Sequence, residues 1–333
     1  MTRRTVLVTG ATGFLGREVA KEFRLKSWTV VGTGYSRADG VDVLKVDLGK
    51  EAEVAKILDE TKSGLSFLRS VDGSMLTSTT DLMSSSTRFP DKVDGDPEGA
   101  RALNVAASSS LASLAAARDV FLIYISTDYV FPGVPGDAPY QADAKPRPTN
   151  LYGQTKLDGE AAVLDSYANA AKEGLGVVLR VPILYGHAET PAESAVNVLM
   201  DAVWKAQTQG ATVKMDHWAI RYPTNTEDIA RVCRDISEKY LSAGTGAKTL
   251  PRILQFSSED KMTKYEICQE FGDIMGLSTS GIEANTEGND PNASVQRPYD
   301  CHLSTQALKD LGIDVSTSDF RGWWRREVHA FRK

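Results

Sequence analysis

Apolar strands and amphipathic helices alternate along the first half of the chain. A β-branched apolar run at 5–9 predicts a parallel strand that is covered on both faces. The hydrophobic pattern predicts further strands at 28–32, 42–46, 120–126 and 176–181, and helices at 15–25, 51–61, 97–118 and 151–172. This alternation predicts an α/β protein with a Rossmann-type doubly wound parallel sheet.

The alternation loosens after residue 186. Short strand-like pieces, such as 252–256, separate helical stretches at 193–208, 226–240 and 263–276. We therefore predict a Rossmann domain at 1–186 and a smaller, mixed α/β C-terminal lobe at 187–333. Part of the second lobe is expected to interleave with the end of the main sheet.

One stretch breaks the pattern before that point. Residues 63–87 are rich in Ser and Thr and contain no clean buried strand, although the alternation demands a fourth strand there. We expect this strand to be missing. Its loss would leave unpaired backbone edges beside the first strand and remove contacts to a bound cofactor.

A glycine-rich turn joins the first strand to the first helix. Gly10, Gly13 and Gly16 have a GxxGxxG spacing in the sequence TGATGFLG. The first glycine permits a tight turn, the second lets the backbone approach a pyrophosphate, and the third lets the helix pack close to the strand. An ordinary strand–helix turn is the alternative, but the position between strand and helix favours a dinucleotide site at the helix N-terminus.

The end of the second strand indicates which dinucleotide binds. NAD sites usually carry an acidic residue there, which holds the ribose 2′-hydroxyl. This chain instead has Ser36 and Arg37, which can donate hydrogen bonds to a 2′-phosphate, the arginine in bidentate fashion. The pattern therefore favours NADP over NAD. Asp47 and Leu48, after the third strand, are placed to contact the adenine.

A tyrosine and a lysine open a predicted helix after a proline-rich loop. Tyr152 and Lys156 are four residues apart and therefore share one helix face. An adjacent ammonium lowers the pKa of a phenol, which prepares it to exchange a proton with a carbonyl or an alcohol. Ser126 and Thr127 end a strand where a hydroxyl can bind the substrate oxygen. A surface Tyr–Lys pair is the alternative, and catalytic and cofactor-holding roles both stay open.

Composition and charge narrow the class of protein. The formal net charge of −6 disfavours a nucleic-acid-binding protein. The three cysteines and four histidines are scattered without metal-ligand spacing, so we expect reduced thiols and no metal site. No stretch approaches the ~20 apolar residues of a membrane span, and no apolar signal segment precedes the first strand. We expect no membrane association and a cytoplasmic location, with the nucleus left open.

Several longer segments resemble a known family. The sequences ISTDYVF, LYGQTKLDGE and LRVPILYG resemble extended short-chain dehydrogenase/reductases of the dTDP-4-dehydrorhamnose reductase-like (RmlD-like) branch. Within that branch, ESAV, MDHWAIRYPT, MTKYE and QRP resemble the regulatory β subunits of methionine adenosyltransferase. The resemblance covers nearly the whole chain outside 63–87, and the DHW segment is its most specific marker.

This resemblance implies a protein that binds NADP and the catalytic α subunit of methionine adenosyltransferase, and that tunes S-adenosylmethionine synthesis without established hydride transfer. An active NADPH-dependent dTDP-4-dehydrorhamnose reductase is the alternative, because the set Thr127, Tyr152 and Lys156 fits both. The resemblance places cofactor contacts on Thr12, Gly13, Phe14, Leu15, Tyr35, Ser36, Arg37, Asp47, Leu48, Tyr152 and Leu184.

The C-terminal segment carries a second implication. In this family the tail reaches toward the catalytic partner, and the matching segment here is 322–331, which contains Trp323 and Trp324. Its Trp and Arg content suits an anchor at an interface. A helix end docked on its own domain is the alternative.

The chain departs from the family at the fourth strand. Of the segment that follows this strand in the family, only RFPD at 88–91 is recognisable, and Arg88 is a candidate for one cofactor contact. We hypothesise a gene-model error in 63–87, with a natural loop insertion as the alternative. If the chain exists as written, it is expected to fold weakly and to bind NADP weakly. Sequencing the transcript would separate the two hypotheses.

Overall fold

The computed structural model describes residues 4–61, 65–69, 90–290, 292 and 295–330. The strands in chain order are β1 Thr5–Thr9, β2 Thr29–Gly34, β3 Val43–Lys45, β4 Leu65–Arg69, β5 Phe121–Thr127, β6 Gly176–Val181, β7 Leu184–Tyr185, β8 Val213–Asp216, β9 Thr224–Asn225, β10 Ile253–Gln255 and β11 Ile282–Asn285. The helices are α1 Phe14–Leu25, α2 Glu51–Glu60, α3 Pro90–Gly95, α4 Pro97–Arg101, α5 Ser108–Ala116, α6 Leu151–Asn169, α7 Leu199–Lys205, α8 Thr226–Ala243, α9 Lys264–Met275, α10 Gln306–Asp310 and α11 Phe320–Glu327.

Seven parallel strands form the main sheet in the order β10-β6-β5-β4-β1-β2-β3. The strand order reverses between β1 and β4, because β2 and β3 follow on one side and β4 to β6 on the other. In open sheets of this kind, ligands bind beyond the carboxyl ends of the strands at that switch point. The predicted doubly wound α/β fold is confirmed.

The prediction that the fourth strand is missing is wrong. Strand β4 lies between β1 and β5, with Leu65 opposite Thr5 and Ser66 opposite Phe121. The strand is five residues long and a serine interrupts its apolar residues, so its sequence lacks the continuous apolar run that predicts a strand. Because β1 is paired on both edges, the reason given for weak folding no longer holds. Residues 63–64, 70–87 and Arg88 lie outside the described residues.

Alternating side chains of β1 divide the core into two layers. Val6 and Val8 pack with α1 and α8, whereas Leu7 packs on the other face with α2, α5 and α6. Each of these three β1 side chains is at most 1% exposed. A period of two along the strand therefore supplies both helical layers of the fold.

The predicted helix at 97–118 is divided. A π-helical turn at Ala102–Ala107 separates α4 from α5, and a buried asparagine on this turn, Asn104, donates a 3.0 Å hydrogen bond to Thr155 of α6. The extra residue of a π turn shifts side chains relative to a regular α-helix. It thereby places Asn104 against the helix that carries Tyr152 and Lys156.

The second half of the chain contributes to both parts of the molecule. Helix α8 packs on α1, and β10 extends the main sheet beside β6. Helices α7, α9 and α11 surround a separate apolar cluster, flanked by the two-stranded β8–β11 sheet. The boundary near Gly186 stays a prediction. Among the helices in the described ranges, none combines the length and apolar character that a membrane span needs.

The two tryptophans of the C-terminal segment lie inside this cluster. Trp323 is 6% exposed and Trp324 is fully buried, and both rings pack against Tyr185. Trp324 also packs edge-on against Phe271 of α9. Both tryptophans are therefore committed to the protein's own core, and the predicted contact between the tail and a partner stays a prediction. For these two residues, the alternative of a helix end docked on its own domain describes the structure. Phe331, the last residue of the predicted tail, lies outside the described residues.

Candidate functional site

The glycine turn has the geometry of a close-approach site. Gly10 has a φ of 66°, a conformation that favours glycine, and its carbonyl accepts a 2.8 Å hydrogen bond from Gly13 N–H. A Cβ on Gly16 would overlap the Gly10 carbonyl, so α1 approaches the turn only with glycine there. The N-cap of α1 is Gly13, which offers no capping side chain. The positive end of the helix consequently faces the turn.

The turn packs directly on the end of β2. Ala11 N–H donates a 2.9 Å hydrogen bond to Thr33 O, and a Cβ on Gly34 would lie 3.1 Å from Thr12 Oγ1. Phe14 and Leu15, the first residues of α1, are each 3% exposed and anchor the helix start. This cradle fits the pyrophosphate of a dinucleotide.

A cavity of about 650 Å³ opens beside the turn, at the carboxyl ends of β1 and β2. Its polar lining carries charges of both signs. The lining residues are Ala11, Thr12, Arg17, Ala20, Arg24, Arg37, Asp39, Asp42, Val43 and Glu189. A charged cavity of this size suits a polar, phosphorylated ligand.

Arg37 reaches this cavity but is held by carboxylates. Its Nη1 lies 2.9 Å from Glu189 Oε2 and 2.8 Å from Glu193 Oε1. Arg17 pairs with the same two acids, with its Nη2 2.5 Å from Glu193 Oε2, and donates a 2.8 Å hydrogen bond to Thr12 O. Burial raises the pKa of Glu193, but the hydrogen bonds from Arg17 and Arg37 outweigh it and lower the pKa to about 2.

Sequence reasoning missed Arg17, Glu189 and Glu193. The local signals were the position of Arg17 directly after the third glycine of the turn and the place of Glu193 at the start of the family-like ESAV segment. The two glutamates lie more than 150 residues from Arg37, so no spacing could connect them.

The remaining predicted adenosine contacts lie around the same sheet edge. Lys45 Nζ lies 5.3 Å from the centre of the Tyr35 ring, and Ser36 is exposed. Asp47 Oδ1 accepts a 2.9 Å hydrogen bond from Gly49 N–H, which forms a turn before α2. Leu48 is half-buried against the adjacent core. Asp47 therefore has a local structural role in addition to any contact with adenine.

The predicted Thr–Tyr–Lys set converges where β5 ends and α6 begins. Tyr129 connects two members, because its N–H donates a 3.2 Å hydrogen bond to Thr127 Oγ1 and its ring lies 5.9 Å from that of Tyr152. Lys156 is 3% exposed, and its Nζ donates a 2.7 Å hydrogen bond to Ile125 O. The lysine is thus tied to the strand that presents Thr127.

Ser126 does not belong to this set. Its hydroxyl donates a 2.5 Å hydrogen bond to Glu160 Oε1 in the interior. Because Glu160 holds the Ser126 hydroxyl, Thr127 is the strand-end hydroxyl that remains beside Tyr129.

The buried carboxyl of Asp128 lies next to Thr127. Burial raises the pKa of the Asp128 carboxyl to about 6, although a hydrogen bond from Thr127 and the charge of Arg221 oppose the change. Thr127 Oγ1 lies 2.9 Å from Asp128 Oδ1. Arg221 is 4% exposed and lies over the Tyr129 ring, 5.8 Å from its centre.

Leu184, the last predicted contact, lies in β7, and its carbonyl accepts a 2.7 Å hydrogen bond from Ser194 Oγ. Arg88 lies outside the described residues. Within the part of the chain that the structure describes, no three His, Cys, Asp or Glu side chains are grouped to hold a metal ion.

Comparisons with known proteins identify the general class of protein to which the chain belongs. Residues 84–331 match the RmlD substrate binding domain family, and residues 6–69 match the NAD dependent epimerase/dehydratase family. A dTDP-4-dehydrorhamnose reductase from Clostridium acetobutylicum superimposes with a TM-score of 0.75 at 21% identity, over 98% of each chain. The same enzyme from Bacillus anthracis, solved with NADP, gives 0.75 at 17% identity, also over 98% of each chain. The fold is that of RmlD-type short-chain dehydrogenase/reductases.

Relatives at higher identity are more specific. The chain is 38% identical over 328 residues to methionine adenosyltransferase 2 subunit beta of Xenopus tropicalis, covering 98% of this chain and 88% of that protein. It is 38% identical to the subunit of the same name from Danio rerio, covering 99% and 91%. The chain therefore belongs to the methionine adenosyltransferase β-subunit family, within the RmlD-like branch.

The two family matches border the Ser- and Thr-rich stretch. One match ends at Arg69, the last residue of β4, and the other begins at residue 84. Neither family match therefore covers 70–83, and the hypothesis of a gene-model error in 63–87 stays a prediction.

Proposed function

We propose that this protein is an NADP-binding, non-catalytic regulatory subunit of methionine adenosyltransferase that acts in S-adenosylmethionine biosynthesis in the cytoplasm. The observation that carries the proposal is the 38% identity to β subunits over 98% of the chain. Because the similarity extends over both halves of the chain, it supports a shared role more strongly than a shared dinucleotide-binding fold alone would.

The cofactor of the proposal is NADP. The cradle formed by Gly10, Gly13 and Gly16 would hold the pyrophosphate, and Arg37 with Ser36 would meet the 2′-phosphate. No acid follows β2 directly to hold a 2′-hydroxyl, which further supports this choice. When bound, NADP supplies either a fixed structural element or a transferable hydride.

The partner of the proposal is the catalytic α subunit. Since Trp323 and Trp324 are buried, the exposed side of α11 would have to supply any contact from this segment. Arg325 and Arg326 are exposed there and are available to acidic or carbonyl groups of a partner.

A reductase of dTDP-4-dehydrorhamnose type is the second candidate. It is favoured by the convergence of Thr127, Tyr152 and Lys156 around β5 and α6. A dTDP-4-dehydrorhamnose reductase of Mycolicibacterium smegmatis is 34% identical over 165 residues, which is half of this chain. In such a reaction Tyr152 would donate the proton to the substrate oxygen.

Two parallel assays test these candidates. The first co-purifies the full chain with the methionine adenosyltransferase catalytic subunit, and the second follows NADPH oxidation with dTDP-4-dehydro-6-deoxy-L-mannose. We expect a stable complex and no oxidation above the rate of the Tyr152→Phe variant. Turnover that depends on Tyr152, without any association, would overturn the proposal in favour of the reductase.

A further inference from the structure

The arginine expected to meet the 2′-phosphate is already ion-paired. Glu189 and Glu193, which lie between β7 and α7, reach back across the sheet edge to Arg37 and Arg17. Two positive and two negative charges meet there. A phosphate that enters the cavity therefore encounters a charge-balanced cluster instead of a free guanidinium.

The two glutamates differ in how firmly they are held. The Glu193 side chain is 10% exposed, bonds both arginines, and accepts a 3.0 Å hydrogen bond from Glu189 N–H. The Glu189 side chain is 55% exposed. Glu193 is the fixed centre of the cluster, and Glu189 can leave Arg37 by rotation of its own side chain into water.

We propose that Glu189 sets the selectivity of this site between phosphorylated and unphosphorylated cofactors, by competing with the 2′-phosphate for Arg37. The proposal rests on the proposed function, in which a dinucleotide occupies the glycine turn and the cavity. A cofactor with a 2′-phosphate displaces the Glu189 carboxylate, whereas NAD leaves the ion pair in place.

The segment that carries Glu189 is connected to the second half of the molecule. Ser194 Oγ bonds Leu184 O of β7, and Asn197 Nδ2 donates a 2.9 Å hydrogen bond to Gly186 O, directly before α7. Release of Glu189 removes its ion pairs with Arg37 and Arg17 and so loosens the part of 187–193 that precedes Glu193, while Glu193 stays bonded to Arg17. The 2′-phosphate is thereby sensed by the loop that leads into α7.

The test is calorimetric titration of the full chain with NADP, NAD, 2′,5′-ADP and 5′-AMP. The variant is Glu189→Gln, and the control is Glu60→Gln, which removes a charge from a pair with Lys56 of similar exposure on α2. Because exposed ion pairs contribute modestly, we expect Glu189→Gln to tighten NADP and 2′,5′-ADP about fivefold. NAD and 5′-AMP should be unchanged, as should all four affinities in the control.

Hydrogen exchange supplies a second readout. Saturating NADP should increase amide exchange within 187–193, and saturating NAD should not. Equal effects of Glu189→Gln on NADP and NAD, or no effect on either, would overturn the role of Glu189 while leaving the cofactor site intact. If the wild-type chain bound none of the four ligands, the proposed cofactor function would fall, and this inference with it.

Discussion

Arg180 and Glu160 form a bidentate ion pair in the interior, between β6 and α6. Arg180 Nε lies 2.9 Å from Oε1 and Nη2 lies 2.7 Å from Oε2, with the two side chains 1% and 3% exposed. Ser126 Oγ donates to the same carboxylate. The pair ties α6, and with it Tyr152 and Lys156, to the central sheet.

Breaking this pair should be costly. Glu160→Gln leaves the Arg180 charge buried without its counter-charge, which typically destabilises a protein by about 3–5 kcal/mol. Chemical denaturation with urea measures the loss. The control is Asp59→Asn, whose side chain is 63% exposed in its pair with Arg118, so this pair should contribute less than about 1 kcal/mol. Similar losses in both variants would contradict the structural role of the buried pair.

The ion pairs of Glu193 predict that the protein becomes less stable at acidic pH. The pKa of Glu193 falls from 4.5 to about 2 on folding, so its stabilisation is present above pH 4.5 and disappears as the pH falls toward 2. Glu193→Gln should destabilise the protein by about 2 kcal/mol at pH 7, a value reduced because Arg37 is half-exposed. Unfolding followed from pH 7 to pH 3 should show the gap between variant and wild type narrowing. A constant gap would count against the ion pairs as its cause.

The buried Asp128 carboxyl predicts the opposite dependence of stability on pH. Its pKa rises from 3.8 to about 6 on folding, so the folded state holds the proton more tightly and loses stability as the pH rises from about 4 to 6. Asp128→Asn imitates the neutral form and keeps an acceptor for Thr127. It should stabilise the protein by up to about 3 kcal/mol at pH 7.5. Thermal unfolding at pH 4 should show no such gain, and a gain of equal size there would refute the explanation.

Loss of Arg37 should weaken the binding of NADP without changing the binding of NAD. Arg37→Ala removes the guanidinium that we expect to pair with the 2′-phosphate, and charge-assisted hydrogen bonds of this kind contribute about 1.5–3 kcal/mol. NADP should bind at least about tenfold more weakly, whereas NAD should bind as before. Arg101→Ala, on the surface of α4, is the matched control. Equal loss of both cofactors would place Arg37 outside the 2′-phosphate site.

Local sequence was sufficient where the relevant residues are near neighbours. The glycine turn brings together residues within seven positions, and the start of α6 follows from Asn150, whose side chain accepts a hydrogen bond from Gly153 N–H. Glycine conformation, helix capping and the period of two along β1 act over a few residues. The sequence alone therefore determined the doubly wound fold, the place of the dinucleotide turn, and the positions of Tyr152 and Lys156.

Only the tertiary structure decided the features that join distant segments. Pairing with β1 and β5 makes a strand of Leu65–Arg69, although its own apolar pattern is too short to predict one. Trp324 is a core residue because α9 and Tyr185 cover it. Glu189 meets Arg37 across 152 residues of chain. Packing and charge pairing depend on which surfaces the complete fold brings together, and no spacing along the chain carries that information.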